Sequence, residues 1–434
     1  MNKEIVAILI IACSVCSCSI SNQIDRAAQK KVIQNDALKT AHVGISIFEP
    51  ATNRYWYNYQ GDHYFVPASN TKIVTCYAAM KYLGDSIVGL KYFETDTSVF
   101  IQPTGDPTLL HRDFKDQPVY GFLKKITKPM IYVLPEWQTH AYGAGWMWDD
   151  YNDDYMAERS ALPIYGDVLE FRLLEEKAKP VLEWDIPFFR YHINNLVDPM
   201  QKNIRVIRRK DENRWDVLPA TDSFKTVQIP FITYENPRLL EDTLHLAWAN
   251  RTTLASGQPF KKLYSRPTDS VLQPMMYHSD NFFAEQSLLM TSNEVLGVMN
   301  DSKIIDTLLK SDLKDLPQKP TWVDGSGLSR YNLFTPQDFV AILNKIKNEF
   351  GMDRVKRLFP TGGTVAFKKY FVQDSGYFFA KTGSMSGVNC LSGFLYTRKN
   401  KLLLFSVLVN NQQSSATAVR RAVEAFLQNV RNRY

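Results

Sequence analysis

A serine and a lysine three residues apart, Ser69 and Lys72, are the sequence feature that most constrains this chain. They share one face of a helical turn if a helix begins near residue 69. Free N–H groups and the dipole at the start of a helix favour developing negative charge, and a neutral lysine amine can take the proton of the serine. Spacing alone is weak evidence, because Ser311 and Lys314 repeat it where a polar helix surface is explanation enough.

The segments around Ser69 predict a rigid support for its side chain. Residues 42–48 and 55–59 form a predicted hairpin, and residues 70–83 carry an apolar stripe at helical spacing. A second hairpin is predicted within residues 378–409, followed by a terminal amphipathic helix. Further helices are predicted at residues 237–250, 271–276 and 335–350. This pattern predicts an α+β fold in which helices flank an antiparallel sheet beside a helical lobe.

The middle of the chain differs in character from both ends. Short β-like runs, turn signals and many aromatic residues occupy residues 89–227. We therefore predict an inserted β-rich domain over residues 89–227 and a discontinuous catalytic domain over residues 24–88 and 228–434. Residues 146–151, rich in tryptophan and aspartate, are predicted to form a folded loop with packed tryptophans.

The first eighteen residues predict an export signal. An apolar run over residues 5–12 is too short to be a stable membrane anchor, and three of the five cysteines, Cys13, Cys16 and Cys18, follow it. Residues 15–18 resemble a bacterial lipoprotein processing site, at which Cys18 would be lipidated; plain cleavage with a soluble product is the alternative. The two cysteines left in the body of the chain imply no disulfide framework. We expect an exported, periplasmic protein.

The composition argues against several functional classes. A net charge of +6 is too small and too scattered to indicate nucleic-acid binding, although it suits an acidic substrate. The seven histidines are dispersed, and the sequence contains no metal-binding cluster and no nucleotide-binding loop. We therefore expect no cofactor and no metal, and contact with a membrane only through a lipid on Cys18.

Three short motifs stand in a fixed order along the chain, and each adds to the chemistry of Ser69. Ser-x-x-Lys lies at residues 69–72, Ser-Asp-Asn at residues 279–281 and Lys-Thr-Gly at residues 381–383. Together they are typical of serine β-lactamases and penicillin-binding proteins.

Their residues suit the parts of an acyl-transfer site. Lys72 must be neutral to act as a base, and the cation of Lys381 helps to lower its pKa. Ser279 can relay a proton to the leaving amine, while Asn281 can bind the substrate backbone and hold Lys72. At a predicted strand end, Lys381, Thr382 and Ser384 offer donors to a free carboxylate, and Gly383 belongs to the same substrate-binding stretch. The N–H groups of Ser69 and Ser384 would form the oxyanion hole.

Further matches extend this likeness over most of the chain. They lie at residues 105–107, 146–150, 160–162, 279–285 and 324–330. With them, the chain resembles the D-alanyl-D-alanine carboxypeptidase/endopeptidase family, the low-molecular-mass class C penicillin-binding proteins with a large insert between the first two motifs. The gap of 210 residues between Ser69 and Ser279 agrees with that insert.

The resemblance implies a β-lactamase/transpeptidase-like catalytic domain and a peptidoglycan substrate. It also implies that the insert supplies Asp150 and Tyr155 to a subsite beside Arg330, which receives the amine-bearing end of the diaminopimelate side chain. The predicted function is a serine D-Ala-D-Ala carboxypeptidase, DD-endopeptidase or both, acting on stem peptides through an acyl-enzyme on Ser69. β-Lactam antibiotics are expected to trap the same serine.

Two alternatives stand beside this function, one a different enzyme and the other a protein of another functional class. A β-lactamase shares the three motifs, but it needs fast deacylation from an added general base that the sequence does not identify, and the large insert favours a polymeric substrate. A non-hydrolytic penicillin- or peptidoglycan-binding protein would keep the site without turnover. The intact Lys72, Asn281 and Lys381 count against this last reading, since binding alone needs no base.

Overall fold

The computed structural model describes residues 20–176, 179–196, 203–218, 226–254 and 257–434. The predicted export signal and Cys18 lie outside these described residues. None of the helices in the described ranges is long and apolar enough to span a membrane.

The described chain mixes strands and helices in nearly equal measure, which confirms the predicted α+β class. Its strands, in chain order, are β1 (His42–Glu49), β2 (Arg54–Tyr59), β3 (Ser86–Glu94), β4 (Val99–Pro103), β5 (Met130–Val133), β6 (Val168–Glu176), β7 (Lys179–Trp184), β8 (Ile193–Asn195), β9 (Arg205–Arg208), β10 (Trp215–Leu218), β11 (Thr226–Pro230), β12 (Trp248–Thr252), β13 (Lys261–Pro267), β14 (Phe378–Met385), β15 (Val388–Tyr396) and β16 (Leu402–Asn410). Its α-helices are α1 (residues 20–28), α2 (Lys72–Tyr82), α3 (Pro118–Leu123), α4 (Asn236–Leu244), α5 (Asp269–Tyr277), α6 (Asn281–Leu296), α7 (Asp301–Lys310), α8 (Pro336–Leu358) and α9 (Ala416–Arg433).

The chain divides into two compact units by its internal contacts. The first contains the described residues up to Tyr77, together with Gln273–Ser279 and Ile305–Tyr434. The second consists of Ala78–Leu272 and Asp280–Ile304, apart from the residues that are not described. The division gives residues 228–272 and 280–304 to the second unit, whereas the sequence interpretation groups them with the catalytic domain. The domain limits drawn from the sequence stay a prediction.

The first unit is built on an antiparallel sheet with the strand order β14-β15-β16-β1-β2. Alternate residues of β1 and β16, such as Ile45 and Phe405, are fully buried in one core with apolar residues of α1 and α9. Because side chains alternate across a strand, this core covers one face of the sheet. The predicted hairpins at residues 42–59 and 378–409 are therefore confirmed as parts of a single sheet.

The second unit contains three sheets around its own core. A five-stranded mixed sheet has the order β12-β5-β4-β3-β13, and two three-stranded sheets have the orders β11-β6-β7 and β8-β10-β9. Buried aromatic residues, among them Phe171, Phe189 and Trp215, join these elements to α4 in one hydrophobic cluster. The high aromatic content of this part of the chain is thus used in packing.

Two local predictions are wrong. The helix predicted over residues 237–250 ends at Leu244, because His245 adopts a left-handed conformation (φ 53°) and residues from Trp248 onward pair with β5. The tryptophans of residues 146–151 are not all packed either: the Trp148 side chain is 70% exposed, with the Lys210 ammonium 5.3 Å from its ring centre.

Three stretches that carried the family resemblance meet inside the second unit. The Gln286 side chain of α6 donates to the carbonyls of Gly105 and Ser160, both at 2.8 Å. Beside it, the buried Arg159 guanidinium contacts the carboxylates of Glu285 and Asp301. These hydrogen bonds and ion pairs hold the first part of α6 in place, because burying any of these polar groups without its partner would cost free energy.

We expect Arg159→Leu to lower the free energy of unfolding by about 3–5 kcal/mol, because it leaves the carboxylate of Glu285 buried without its cation. Urea unfolding followed by tryptophan fluorescence measures the change. The matched control is Arg214→Leu in the same unit, where Arg214 and Glu212 form an exposed pair 3.5 Å apart. The control should change stability by about 0.5 kcal/mol or less; equal effects of the two variants would contradict the prediction.

Candidate active site

Ser69 lies in a tight turn that leads directly into α2. A 3₁₀ turn over Ala68–Thr71 precedes the helix, so the predicted helical segment is confirmed with a tighter first turn. The Asn70 side chain holds this turn to the sheet, donating to Ser392 Oγ at 2.7 Å, and Ser392 Oγ lies 2.8 Å from Ser406 Oγ. Ser69 is half-buried, whereas Asn70 and Thr71 are fully buried. The backbone around the serine is therefore fixed while its hydroxyl keeps access to solvent.

Lys72 is completely buried, with its amine aimed at the serine. Lys72 Nζ donates to Ser69 Oγ at 2.9 Å and to the Ser326 carbonyl at 2.8 Å. A lysine amine at hydrogen-bond distance from a serine hydroxyl is the geometry that a base needs in order to activate a nucleophile. The pairing predicted from the spacing of residues 69 and 72 is present.

The loop that supplies the Ser326 carbonyl is organised by one buried carboxylate. Asp324 accepts hydrogen bonds from the N–H groups of Gly327 at 2.8 Å and Ser329 at 2.6 Å, and from the Asn332 side chain at 2.7 Å. At Gly327 the backbone is left-handed (φ 82°), and an added Cβ would lie 2.0 Å from the Ala68 carbonyl oxygen. The loop thus passes directly against the turn that carries Ser69.

This loop is the part of the site that the sequence reasoning missed. Apart from Arg330, residues 324–330 counted there only toward the family resemblance. The residue that contacts Lys72, Ser326, does so through its backbone carbonyl. The two glycines and the aspartate at residues 324–327 were the available signal for a tight, buried loop.

A second lysine–serine pair lies in the same unit. Lys381 Nζ donates to Ser279 Oγ at 2.8 Å and to the Thr382 carbonyl at 2.9 Å. Ser279 adopts a left-handed conformation (φ 61°), which is uncommon for a residue with a side chain and typical of functional sites. The structure therefore brings Ser69, Lys72, Ser279 and Lys381 together in the first unit.

The two lysine amines repel each other. Burial, and secondly the neighbouring Lys72 charge, hold the pKa of the Lys381 amine well below its ordinary value. Repulsion between two ammonium groups is mutual, so a charge on one lysine favours the neutral form of the other. A neutral amine beside Ser69 is what a base requires.

Gly383 lets β14 run close beside the serine turn. A Cβ on Gly383 would lie 2.3 Å from the Pro67 carbonyl oxygen and 3.1 Å from the backbone nitrogen of Ser69. Any larger side chain would push the strand away from Ser69. On the same strand Thr382 is half-buried and Ser384 exposed, and Ser384 Oγ accepts a hydrogen bond from Arg420 at 2.9 Å.

The other predicted site residues fall in both units. In the second unit, Asn281 is the first residue of α6, and its side chain donates to the Tyr155 carbonyl at 2.9 Å. The Tyr155 hydroxyl donates to Asp153 at 3.1 Å, and burial raises the pKa of the nearby Asp150 carboxyl, which a Tyr155 hydrogen bond partly offsets. Arg330 belongs to the first unit, where its exposed side chain donates to the Ser386 carbonyl at 3.1 Å.

Within the ranges that the structure describes, no cluster of three or more histidine, cysteine or acidic side chains is arranged to hold a metal ion.

Comparison with known proteins places this arrangement in a family. The model of the D-Ala-D-Ala carboxypeptidase 3 (S13) family matches residues 25–430. The chain is 22% identical over 443 residues to the D-alanyl-D-alanine carboxypeptidase DacB of Haemophilus influenzae, an alignment that covers 91% of this chain and 90% of that protein.

Solved structures show the same fold. The crystal structure of penicillin binding protein 4 (dacB) from Haemophilus influenzae superposes with a TM-score of 0.72 at 21% identity, covering 94% of this chain and 98% of that one. Its complex with a β-lactam gives a TM-score of 0.68 at 19% identity over the same shares of the two chains. The predicted β-lactamase/transpeptidase-like fold is confirmed.

The lowered pKa of Lys381 predicts how stability depends on pH. Between that lowered pKa and the ordinary value of 10.5, the unfolded chain binds more protons at this position than the folded one. The free energy of unfolding contributed by Lys381 should therefore rise with pH across this window. Urea unfolding at a series of pH values should show a steeper rise for the wild type than for Lys381→Met.

The control for this measurement is Lys310→Met, which removes an exposed lysine that pairs with Asp306 on α7. It should keep the pH slope of the wild type. A slope that stays the same in Lys381→Met would contradict the prediction.

Proposed function

The chain belongs to the D-Ala-D-Ala carboxypeptidase 3 (S13) family and is a serine peptidase, and we propose that Ser69 is its nucleophile and Lys72 the base. The observation that supports these roles best is the 2.9 Å hydrogen bond between Lys72 Nζ and Ser69 Oγ in a buried setting. Ser311 and Lys314 share the spacing, but Ser311 Oγ bonds to the Thr307 carbonyl on an exposed helix end.

Acylation follows from this geometry. Neutral Lys72 takes the Ser69 proton as Ser69 Oγ attacks the carbonyl carbon of the bond between two D-alanines. A tetrahedral intermediate forms, the C–N bond breaks, and the amine of the terminal D-alanine leaves with one added proton. Water then attacks the ester on Ser69, releasing the shortened peptide and restoring the hydroxyl.

The second lysine–serine pair suits the protonation of the leaving amine. Ser279 Oγ accepts a hydrogen bond from Lys381 Nζ at 2.8 Å, so the Ser279 hydroxyl can donate its own hydrogen to the departing nitrogen. The proton that Lys72 took from Ser69 then replaces the one that Ser279 gives, so the lysine–serine pairs return to their starting state. We assign to Asn281 the binding of the substrate backbone, an assignment supported by its position two residues after Ser279 in the Ser-Asp-Asn motif.

The developing negative charge on the substrate oxygen needs donors. We assign this role to the backbone N–H groups of Ser69 and Ser384. The close approach of Gly383 to the backbone nitrogen of Ser69 supports it, because it keeps β14 alongside the serine turn. Thr382 and Ser384 are proposed to bind the free carboxylate at the end of the substrate.

The charged side chains of Asp150 and Arg330 are the basis for a proposal on how the rest of the substrate is recognised. Asp150, with Tyr155 beside it, suits a cationic amine at the end of a peptide side chain, and Arg330 suits a carboxylate on the same group. These residues would select stem peptides of peptidoglycan. The related Haemophilus influenzae protein forms a complex with a β-lactam, which supports the proposal that β-lactams acylate Ser69 in this chain.

We propose that the protein is exported, since a cell-wall substrate lies outside the cytoplasm. The apolar run at residues 5–12 is the proposed export signal, and Cys18 the proposed site of a lipid anchor. The catalytic domain is proposed to span residues 24–88 and 228–434, with residues 89–227 as the inserted domain.

Ser69→Ala should abolish covalent labelling by benzylpenicillin, because no hydroxyl remains to open the β-lactam ring. Intact mass spectrometry followed by peptide mapping measures the adduct, and Ser311→Ala serves as the control that keeps full labelling. A Ser69→Ala variant that is still labelled would overturn the assignment of the nucleophile.

The same experiment separates the alternative functions. A stable adduct on Ser69 supports the peptidase. Destruction of the antibiotic without a lasting adduct would indicate a β-lactamase. An intact antibiotic without an adduct, on a protein that binds but never cleaves peptides, would indicate a binding protein.

Gly383→Ala should slow the labelling of Ser69 about a hundredfold, since a displacement of the strand by about 1 Å spoils the alignment of the reacting groups. Labelling time courses at several benzylpenicillin concentrations measure the effect. The control is Gly121→Ala, where an added Cβ meets no atom within 4 Å. Equal rates for the two variants would show that the close approach of β14 is not needed.

A further inference from the structure

The proposed substrate ends in a carboxylate, and the lysine of the Lys-Thr-Gly motif is poorly suited to neutralise it alone. Lys381 is buried, and its amine already donates to Ser279 Oγ and to the Thr382 carbonyl. A carboxylate binds most tightly to a cation that keeps its charge and offers directed donors, which is the property of arginine.

Arg420 meets these requirements at the end of the same strand. It lies in α9, and its Nη2 donates to Ser384 Oγ at 2.9 Å. Arg420, Ser384 and Thr382 also line one pocket in the first unit, whose remaining walls are largely apolar. The guanidinium therefore faces the same space as the two hydroxyls that are proposed to hold the substrate carboxylate.

The charge of Arg420 is not used elsewhere in the described chain: no carboxylate there lies within ion-pair distance of its guanidinium. The neighbouring arginine is different. Arg421 lies 2.6 Å from the Glu424 carboxylate, and its guanidinium lies 4.5 Å from the ring centre of Tyr370. Arg421 is thus a structural cation paired with Glu424, whereas Arg420, next to the proposed substrate-binding strand, has no carboxylate partner in the described part of the chain.

We propose that Arg420 is a further substrate-binding residue, which pairs with the C-terminal carboxylate of the peptide, or with the carboxylate of a β-lactam, together with Thr382 and Ser384. This rests on the proposed function, because it takes the Lys-Thr-Gly strand as the site of carboxylate recognition. The hydrogen bond to Ser384 holds the guanidinium in place before the substrate arrives, which lowers the entropic cost of binding.

Two probes that differ only in this charge test the proposal. Benzylpenicillin carries the carboxylate, and its methyl ester does not. The rate of adduct formation on Ser69 per unit concentration is measured for each probe by intact mass. Arg420→Gln should slow labelling by benzylpenicillin about tenfold, the loss expected for one charge-assisted hydrogen bond, and leave labelling by the ester unchanged within about twofold.

Matched variants complete the experiment. Arg421→Gln removes a charge from the same helix and should leave both rates unchanged. Arg420→Lys keeps the charge without the paired donors and should recover part of the rate with benzylpenicillin.

Equal slowing of both probes by Arg420→Gln would overturn the proposal, because it would assign Arg420 only to the placement of Ser384 or to folding. No slowing of either probe would also overturn it. Failure of the proposed function looks different: the wild type itself would then form no adduct on Ser69 with either probe.

Discussion

The proposed chemistry of this protein depends on the burial of two lysine amines, Lys72 and Lys381, each at hydrogen-bond distance from a serine hydroxyl. An ammonium ion taken out of water loses much of its solvation, and a second ammonium nearby adds repulsion. Such a pair favours one neutral amine, which gives a general base without histidine. The surrounding residues hold hydrogen-bond acceptors in fixed positions beside both amines, because burying an amine without such partners costs free energy.

The partners come from elements far apart in the chain. The Asp324 carboxylate folds its own loop through hydrogen bonds to Gly327, Ser329 and Asn332, and the loop then offers the Ser326 carbonyl to Lys72. Asn70 holds the serine turn to the sheet. The glycines at positions 327 and 383 keep backbone and strand within contact of that turn. The site is precise because rigid backbone, rather than mobile side chains, sets the positions of its groups.

The proposed base and the proposed carboxylate-binding group place opposite requirements on a basic side chain. A base requires a lysine that loses its proton easily, whereas a carboxylate ligand requires a cation that does not. Lys72 is the proposed base, and the Lys381 amine already donates to Ser279 and Thr382, so the carboxylate needs a further cation and the two tasks fall on different side chains. An arginine beside Ser384 separates them, since a guanidinium keeps its charge at any pH at which the enzyme works. The fully buried Lys381 and the half-buried Arg420 are therefore proposed to have different tasks, which follow from their different chemistry.

The sequence by itself determined the α+β class, the two hairpins, the helix that follows Ser69 and the order of the three motifs. These follow from periodicity, turn chemistry and short-range spacing, all of which are local. It also identified the residues of both lysine–serine pairs. What only the tertiary structure decided is which distant groups meet them: the Ser326 carbonyl at Lys72, Arg420 at Ser384, and the end of α4 at His245, where the chain turns to pair with β5. Every residue has a backbone carbonyl, so the sequence does not show which one will contact Lys72. Arg420 lies 36 residues from Ser384, so no local pattern connects the two. Such contacts form only when the sheet and its helices pack together.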